Sequence, residues 1–265
     1  MLKYMEVYVI NLDRHRDRLL HMKNMLGENG FIRIAAVDGL DLADAQPKLP
    51  GTPGAFEHLS RFERGCIVSH QKAWMQFLET GGEYVCILED DVILSKDFSM
   101  FIRNDTWMQG DYDVVKIETA RQKVLTVPVD AARQRRRLVP LYSLHFGSAG
   151  YVISRQGAEK LVRYGQSPDV PIDLFLFRLP SAVPGLAIAQ MEPALCIQQR
   201  FTQYGAEGIL FQSAIAPVVK KRKHTPLRRK IVRETTQPFR QVIEMIKNTI
   251  SRWRGGPVYR LIPFS

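Results

Sequence analysis

Three consecutive acids, Glu89, Asp90 and Asp91, close the apolar run YVCIL at residues 84–88. Adjacent carboxylates repel one another, so a triplet at the carboxyl end of a strand must either face water or hold something positive. Oxygen ligands suit Mg2+ or Mn2+, and Glu89 and Asp91, spaced i, i+2 on extended backbone, project to one side and can share an ion. A cation held there can bridge two phosphates and offset the charge on a departing diphosphate. The plainer alternative is a solvated turn in which Asp90 or Asp91 caps a helix.

A second constellation is RFERGCIVSHQKAW, residues 61–74, which places Ser69, His70 and Lys72 within a helix that also carries Ile67, Trp74 and Phe77. A histidine in that setting serves either as a structural hydrogen-bonding group or in catalysis, and Arg64 and Lys72 read equally well as surface charges. In HFGSAGY, Gly147 and Gly150 flank Ser148; two residues without side chains allow backbone to approach a ligand, or simply make a tight turn. His145 beside them is a further candidate ligand.

The elements that must position these groups follow from periodicity. EVYVINL, residues 6–12, reads as a buried strand; Asp13 is expected to cap a helix reaching Asn29 with Leu19, Met22 and Leu26 on one face, and FIRIAAVDG as a second strand completes β-α-β. Residues 44–60, with three prolines and two glycines, read as a loop, and Arg61–Glu79 as a helix stopped by Gly81-Gly82. YDVVKIE (112–118) offers another strand. Short segments near 124–128 and 138–144 suggest a hairpin tipped by RQRRR, and GSAGYVIS leads into a helix closed by Gly165. PIDLFLF, LAIAQ and ALCIQQ complete the body. In open α/β sheets ligands sit beyond the carboxyl ends of the strands, so the acids after Leu88 and the polar NLDR after Ile10 converge on one rim.

With 265 residues and 45% hydrophobic content the chain has ample material for a large core. Cys66, Cys86 and Cys196 are an odd, sparse set with the look of reduced thiols, which fits a cytosolic setting. No apolar stretch reads as a signal peptide or a membrane span. The net charge of +10 is concentrated at one end: from Lys220 onward thirteen Lys and Arg face two Glu, leaving the remainder near neutral. That segment holds Lys220, Lys221, Arg222, Lys223, Arg228, Arg229 and Lys230. Phe239, Val242, Ile243, Ile246, Ile250 and Trp253 then form an apolar stripe at helical spacing. Such a helix behind a polybasic stretch suits an anionic membrane surface; a helix packed on the body is the alternative, and nucleic-acid binding ranks last because no recognition fold accompanies the charge.

Taken in order, VYVINLDRHRDRL, GCIVSHQKAW, ILEDDV and GSAGYVISRQGAEKL resemble glycosyltransferase family 25, the lipooligosaccharide and lipopolysaccharide galactosyltransferase family, over about residues 5–200. Charge and helical spacing set off a basic amphipathic helical tail at 217–265, and for residues 1–216 the resemblance implies an α/β, GT-A-like nucleotide-sugar-binding fold with a mostly parallel central sheet. It implies a UDP-sugar donor, usually UDP-galactose, and inverting transfer to a lipid-linked oligosaccharide acceptor at the cytoplasmic face of the inner membrane. Glu89, Asp90 and Asp91 would form the metal and diphosphate site with Mn2+ or Mg2+. Asn11, Arg14, Ser69, His70, Gly147 and Ser148 would line the donor site. Inversion needs a carboxylate base, and Asp173 in VPIDLFLF matches the family's acid after the GYVIS helix, with Asp169 and Glu207 as alternatives. A capping role for Asp173 is the competing reading. The rival functions are a metal-dependent phosphohydrolase and an inactive binding protein.

Overall fold

The computed structural model describes residues 5–40, 59–103, 105–108, 110–128, 136–165, 169–178, 181, 183–202 and 256–265. Strand β1 (Glu6–Asn11), helix α1 (Arg16–Leu26) and strand β2 (Ile32–Ala35) open the chain, and α2 (Arg61–Leu78) leads to β3 (Tyr84–Glu89). β4 (Val92–Leu94), α3 (Phe98–Ile102), β5 (Val114–Lys116), β6 (Glu118–Thr119), β7 (Lys123–Thr126) and β8 (Arg137–Pro140) follow. The chain continues through β9 (Gly150–Ser154), α4 (Arg155–Tyr164), α5 (Ile172–Phe177), β10 (Ile188–Glu192), β11 (Cys196–Gln198) and β12 (Val258–Leu261).

The central sheet has 7 strands in the order β2-β1-β3-β9-β5-β10-β8. β2, β1, β3, β5 and β10 run one way, while β9 and β8 run against them. The sheet is thus mostly parallel within a mixed α/β fold, as expected of a GT-A-like chain. Its strands read as continuous apolar runs because both faces are covered. In β3, Val85 and Ile87 join the core beneath α2, whereas Cys86 and Leu88 join the core that contains Met22 of α1.

Helix α2 is well specified locally. Ser60 accepts from Glu63 N and the Glu63 carboxylate accepts from Ser60 N, a reciprocal cap worth about 1 kcal/mol. Its inner face buries Ile67, Trp74 and Phe77 completely. Trp74 Nε1 donates to the Tyr151 hydroxyl of β9 at 2.8 Å, which fixes the helix over the sheet.

Several local expectations change. Asp13 is not the cap of α1: the helix begins at Arg16 with His15 before it, and Asp13 instead pairs with Arg33. That helix ends at Gly27, and its buried residues are Arg18 and Met22. The expected hairpin of residues 124–144 is seen only in part: its two segments meet at an antiparallel bridge between Thr126 and Leu141, with Tyr142 N donating to Leu125 O. The ladders join β7 to β12 and β8 to β10, and residues 129–135 lie outside the described residues. Arg136, read as part of a basic turn, grips Asp97 with two nitrogens at 2.9 and 2.5 Å and donates to the carbonyls of Pro193 and Ala194.

Residues 256–265 return to the body. Ile262 is buried in the core, its carbonyl accepts from the Thr119 hydroxyl, and Arg260 pairs with Glu192. The loop at 44–58 and the basic amphipathic stretch, from Lys220 through Lys230 to Phe239 and Trp253, lie outside the described residues. No described helix is long and apolar enough to cross a membrane.

Candidate functional site

β1 and β3 are parallel, so Asn11 and Glu89 end on the same rim, and antiparallel β9 begins there because Gly150 lies opposite Leu88. The rim therefore gathers the acid triplet and the turn 147–149, with α2 above. A cleft of about 630 Å³ opens over it. Arg14, Ser69, His70, Glu89, Asp90, Asp91, Gly147, Ser148 and Asp173 all line this one cavity. Asn11 sits just behind it, buried and bonded to Asp90.

The three acids have different fates. Asp90 is saturated from within: Asn11 Nδ2 donates to one carboxylate oxygen at 2.7 Å and Arg18 to the other at 2.9 Å. Glu89 accepts from the Ser148 hydroxyl at 2.8 Å and lies 3.5 Å from His70 Nε2. Burial pushes the Glu89 carboxyl up, but His70 and Ser148 outweigh it and the net shift is downward. Asp91 receives the Gln198 amide at 3.2 Å and stands 3.7 Å from Arg18. Burial and the neighbouring charge of Glu89 raise it to about 7. Asp91 is thus an acid with spare lone pairs facing the cleft, and beside Glu89 it offers the oxygen donors that a hard divalent cation takes.

Two other residues are committed to scaffold bonds. Ser69 donates to Gly65 O and accepts from Val37 N, tying α2 to the loop after β2. Arg14 pairs with Asp38 at the cleft edge. His145 is not a ligand: it is fully buried, its Nε2 accepts from Ala120 N, and its other nitrogen faces Gln190 at 2.7 Å. Burial lowers its pKa to about 3, so the ring is neutral.

Beneath the turn lies a feature that the sequence reading missed. Lys116 Nζ donates to Glu118 Oε2 at 2.9 Å and to the Gly147 carbonyl, and lies over the Phe177 ring at 4.2 Å. Glu118 also accepts from Ala149 N at 3.0 Å. Gly147 has φ +90°, and a Cβ there would come within 2.6 Å of the Glu118 carboxylate. Glycine at 147 is therefore explained from below, by a buried carboxylate. Its N–H donates to Asp173 Oδ2 at 3.2 Å, so the Lys116–Glu118 pair positions the backbone that aims Asp173 into the cleft. Asp173 also accepts from Leu174 N in the first turn of α5, but Pro171 stands at the N-cap and no side chain caps the helix, so Asp173 is a first-turn acid at the cleft and not the cap. Asp169 lies in the described chain but not on the cleft lining, and Glu207 is outside the described residues.

Arg18, Gln198 and Arg200 also line the cleft and were likewise unanticipated. A signal existed for one missed group: Lys116 interrupts the apolar run VVKI, and a lysine in a buried strand needs a partner.

Residues 5–176 match the family described as Glycosyltransferase family 25 (LPS biosynthesis protein). Over 210 residues the chain is 34% identical to the lacto-N-neotetraose biosynthesis glycosyltransferase LgtB of Neisseria gonorrhoeae, covering 74% of this chain and 75% of that one. It is 31% identical over 152 residues to the lipooligosaccharide biosynthesis protein lex-1 of Haemophilus influenzae, covering 53% of this chain and 50% of that one. Human procollagen galactosyltransferase 2 is 34% identical over 189 residues, 64% of this chain and 29% of its own length. The order of motifs, the mixed sheet with its acid-bearing rim and these likenesses lead to one conclusion: the chain belongs to glycosyltransferase family 25.

Proposed function

We propose that this chain transfers galactose, or a related hexose, from a UDP-sugar to a lipooligosaccharide or lipopolysaccharide core acceptor with inversion at the anomeric carbon. The observation that supports this most directly is the meeting of two unlike carboxylate groups in one cleft: Glu89 and Asp91 at the end of β3, and Asp173 at the start of α5. Such a division suits single displacement, which needs a base for the incoming hydroxyl and charge compensation for the leaving group. Galactose as the donor sugar follows the human relative, a procollagen galactosyltransferase, and the core acceptor follows the bacterial lipooligosaccharide biosynthesis protein.

In this mechanism Asp173 takes the proton from the acceptor hydroxyl. The acceptor oxygen bonds to the anomeric carbon as that carbon's bond to the diphosphate oxygen breaks, and the electron pair leaves with the diphosphate. Gly147 N–H, fixed by the Lys116–Glu118 pair, orients Asp173 for this transfer. Mn2+ or Mg2+ held by Asp91 with Glu89 would supply neutralisation of the diphosphate. Arg200 adds positive charge to the same cleft. Asn11 acts one step removed, holding Asp90 at the rim together with Arg18.

The test is a panel of UDP-sugars, with and without Mn2+, read by thermal shift and by product release with and without a core-oligosaccharide acceptor. UDP-galactose should stabilise the protein in a Mn2+-dependent way and be consumed faster with acceptor. Absence of any donor response counts against the reading, and acceptor-independent phosphate release would favour a phosphohydrolase.

We further place the enzyme peripherally at the cytoplasmic face of the inner membrane, on the strength of the polybasic residues 220–230 and the apolar stripe 239–253. Since residues 256–265 are built into the body, truncation would damage the fold. Charge reversal of Lys220, Lys221, Arg222 and Lys223 in the full chain is the cleaner probe. It should release the protein from anionic vesicles while leaving its unfolding midpoint in place.

A further inference from the structure

We propose that Cys66, His70 and Glu89 form a binding site for a soft divalent cation, Zn2+ in particular, separate from the oxygen-donor pair of Glu89 and Asp91 and sharing one carboxylate with it. Cys66 and His70 are spaced i, i+4 on α2 and so lie on one helix face, opposite the end of β3. One ligand atom from each of the three residues falls within 4.8 Å of the others. His70 Nε2 and Glu89 Oε1 are already 3.5 Å apart. Zn–N and Zn–O bonds of about 2.0–2.2 Å put tetrahedral ligands about 3.3–3.6 Å from each other, so this edge of the polyhedron exists, and the thiol lies within 4.8 Å of both its atoms.

A second observation is independent of the clustering. His70 is completely buried, yet its Nε2 has no hydrogen-bond partner, the Glu89 contact lacking hydrogen-bond geometry. A buried ring nitrogen left without a bond is costly, and a metal ion is one group that satisfies it. The other ring nitrogen faces the Tyr151 hydroxyl at 2.8 Å, which is itself held by Trp74. Zinc-bound histidines are oriented in this way, with the distal nitrogen fixed by an outer partner. With the ion bound, the ring proton sits on Nδ1 and is donated to Tyr151, which frees Nε2 for the ion.

The donor set decides the class of ion. Thiolate, imidazole and carboxylate together suit Zn2+ and discriminate against Mg2+, which takes oxygen. All three residues line the cleft, so the remaining coordination position opens to solvent or ligand. Binding converts the Cys66 thiol to a thiolate and releases one proton to solvent. Because Glu89 cannot serve both ions fully, bound Zn2+ would oppose use of the Glu89–Asp91 pair and inhibit turnover. The inhibition rests on the transferase reading; the binding does not.

The experiment uses the full chain, reduced and treated with chelator, titrated with Zn2+ against a chromophoric competitor and separately with Co2+. One equivalent of Zn2+ should bind with a Kd below about 1 µM, and Co2+ should give a near-ultraviolet thiolate band. Cys66→Ser should abolish that band and weaken Zn2+ by about 100-fold or more, with an unchanged unfolding midpoint in chelator. Glu89→Gln, at the cleft surface, repeats the test without altering α2. Binding weaker than about 100 µM, or tight binding that both substitutions leave intact, overturns the site. In assays at fixed Mn2+, Zn2+ should inhibit the wild type and lose that effect in the residual activity of Cys66→Ser. A protein that binds Zn2+ as described but shows no transfer would sink the transferase reading alone.

Discussion

Two neighbouring parts of the rim carry acids, and the protein treats them in opposite ways. At the end of β3 the side chains of Glu89 and Asp91 keep 23% and 16% of their surface exposed to the cleft, and Asp91 draws only a long amide contact and a distant arginine. Just past β5, Glu118 is wholly buried and answered by Lys116, itself 0% exposed. Carboxylates answered by the protein's own cation become scaffold, whereas those left partly unanswered at a cavity are available to something that arrives. The triplet itself contains both kinds, since Asp90 is paired with Arg18 at 2.9 Å and bonded by Asn11 while its neighbour Asp91 has that arginine only at 3.7 Å.

The most severe way to break this comparison is Asp91→Asn. Turnover should fall by about a thousandfold or more, roughly 4 kcal/mol in the barrier, because the cation site loses a charged oxygen. The unfolding midpoint without metal should not fall, since burial and Glu89 already hold that carboxyl up at about 7. Steady-state kinetics together with thermal unfolding decide the matter, and a large drop in midpoint would mean that Asp91 is scaffold after all.

The scaffold pair should answer in the reverse order. Lys116→Met leaves the Glu118 carboxylate buried without its cation and should cost about 3–5 kcal/mol of stability, measured by denaturant unfolding. Lys116→Met combined with Glu118→Gln should recover part of that loss, because the stranded charge is gone. Activity should remain reduced in the double variant, as the Gly147 carbonyl no longer has its donor and Asp173 is less well aimed. Full stability in the single variant would remove the distinction between the two acid sites.

What could be read from the sequence and what could not follows the same division. The acid-tipped β3, helix α2 and the β9–α4 unit were legible because their signals are local: a continuous apolar run and glycine stops after the helices. Convergence of nine candidate residues on one cavity, with Asn11 just behind it, was legible from strand direction and resemblance together. The Lys116–Glu118 pair was not, because its meaning depends on Gly147 and Phe177, which reach it only through the fold. Arg18 looked like one arginine among several in RHRDR until Asp90 and Asp91 drew it inside. The pairing of β7 with β12 joins the middle of the chain to its last residues, so the local rule that adjacent short strands form hairpins found the Thr126–Leu141 bridge and missed the longer ladder.

His145 offers the finest probe of the contrast, because it is a titratable group buried among neutral partners. Burial, with the nearby Lys116 charge, lowers its pKa to about 3, against about 6.5 in an unfolded chain. The folded state therefore binds fewer protons than the unfolded one between those values. Stability from this residue is complete above pH 6.5 and is lost as pH falls toward 3. At pH 5 the loss should be about 2 kcal/mol relative to pH 7.5, read from denaturant unfolding at the two values. His145→Gln keeps a group that can bond Gln190 but cannot take up a proton, so its stability should fall less over the same interval. Parallel losses in the two proteins would show that acid sensitivity comes from the carboxylates at the rim and not from the buried ring.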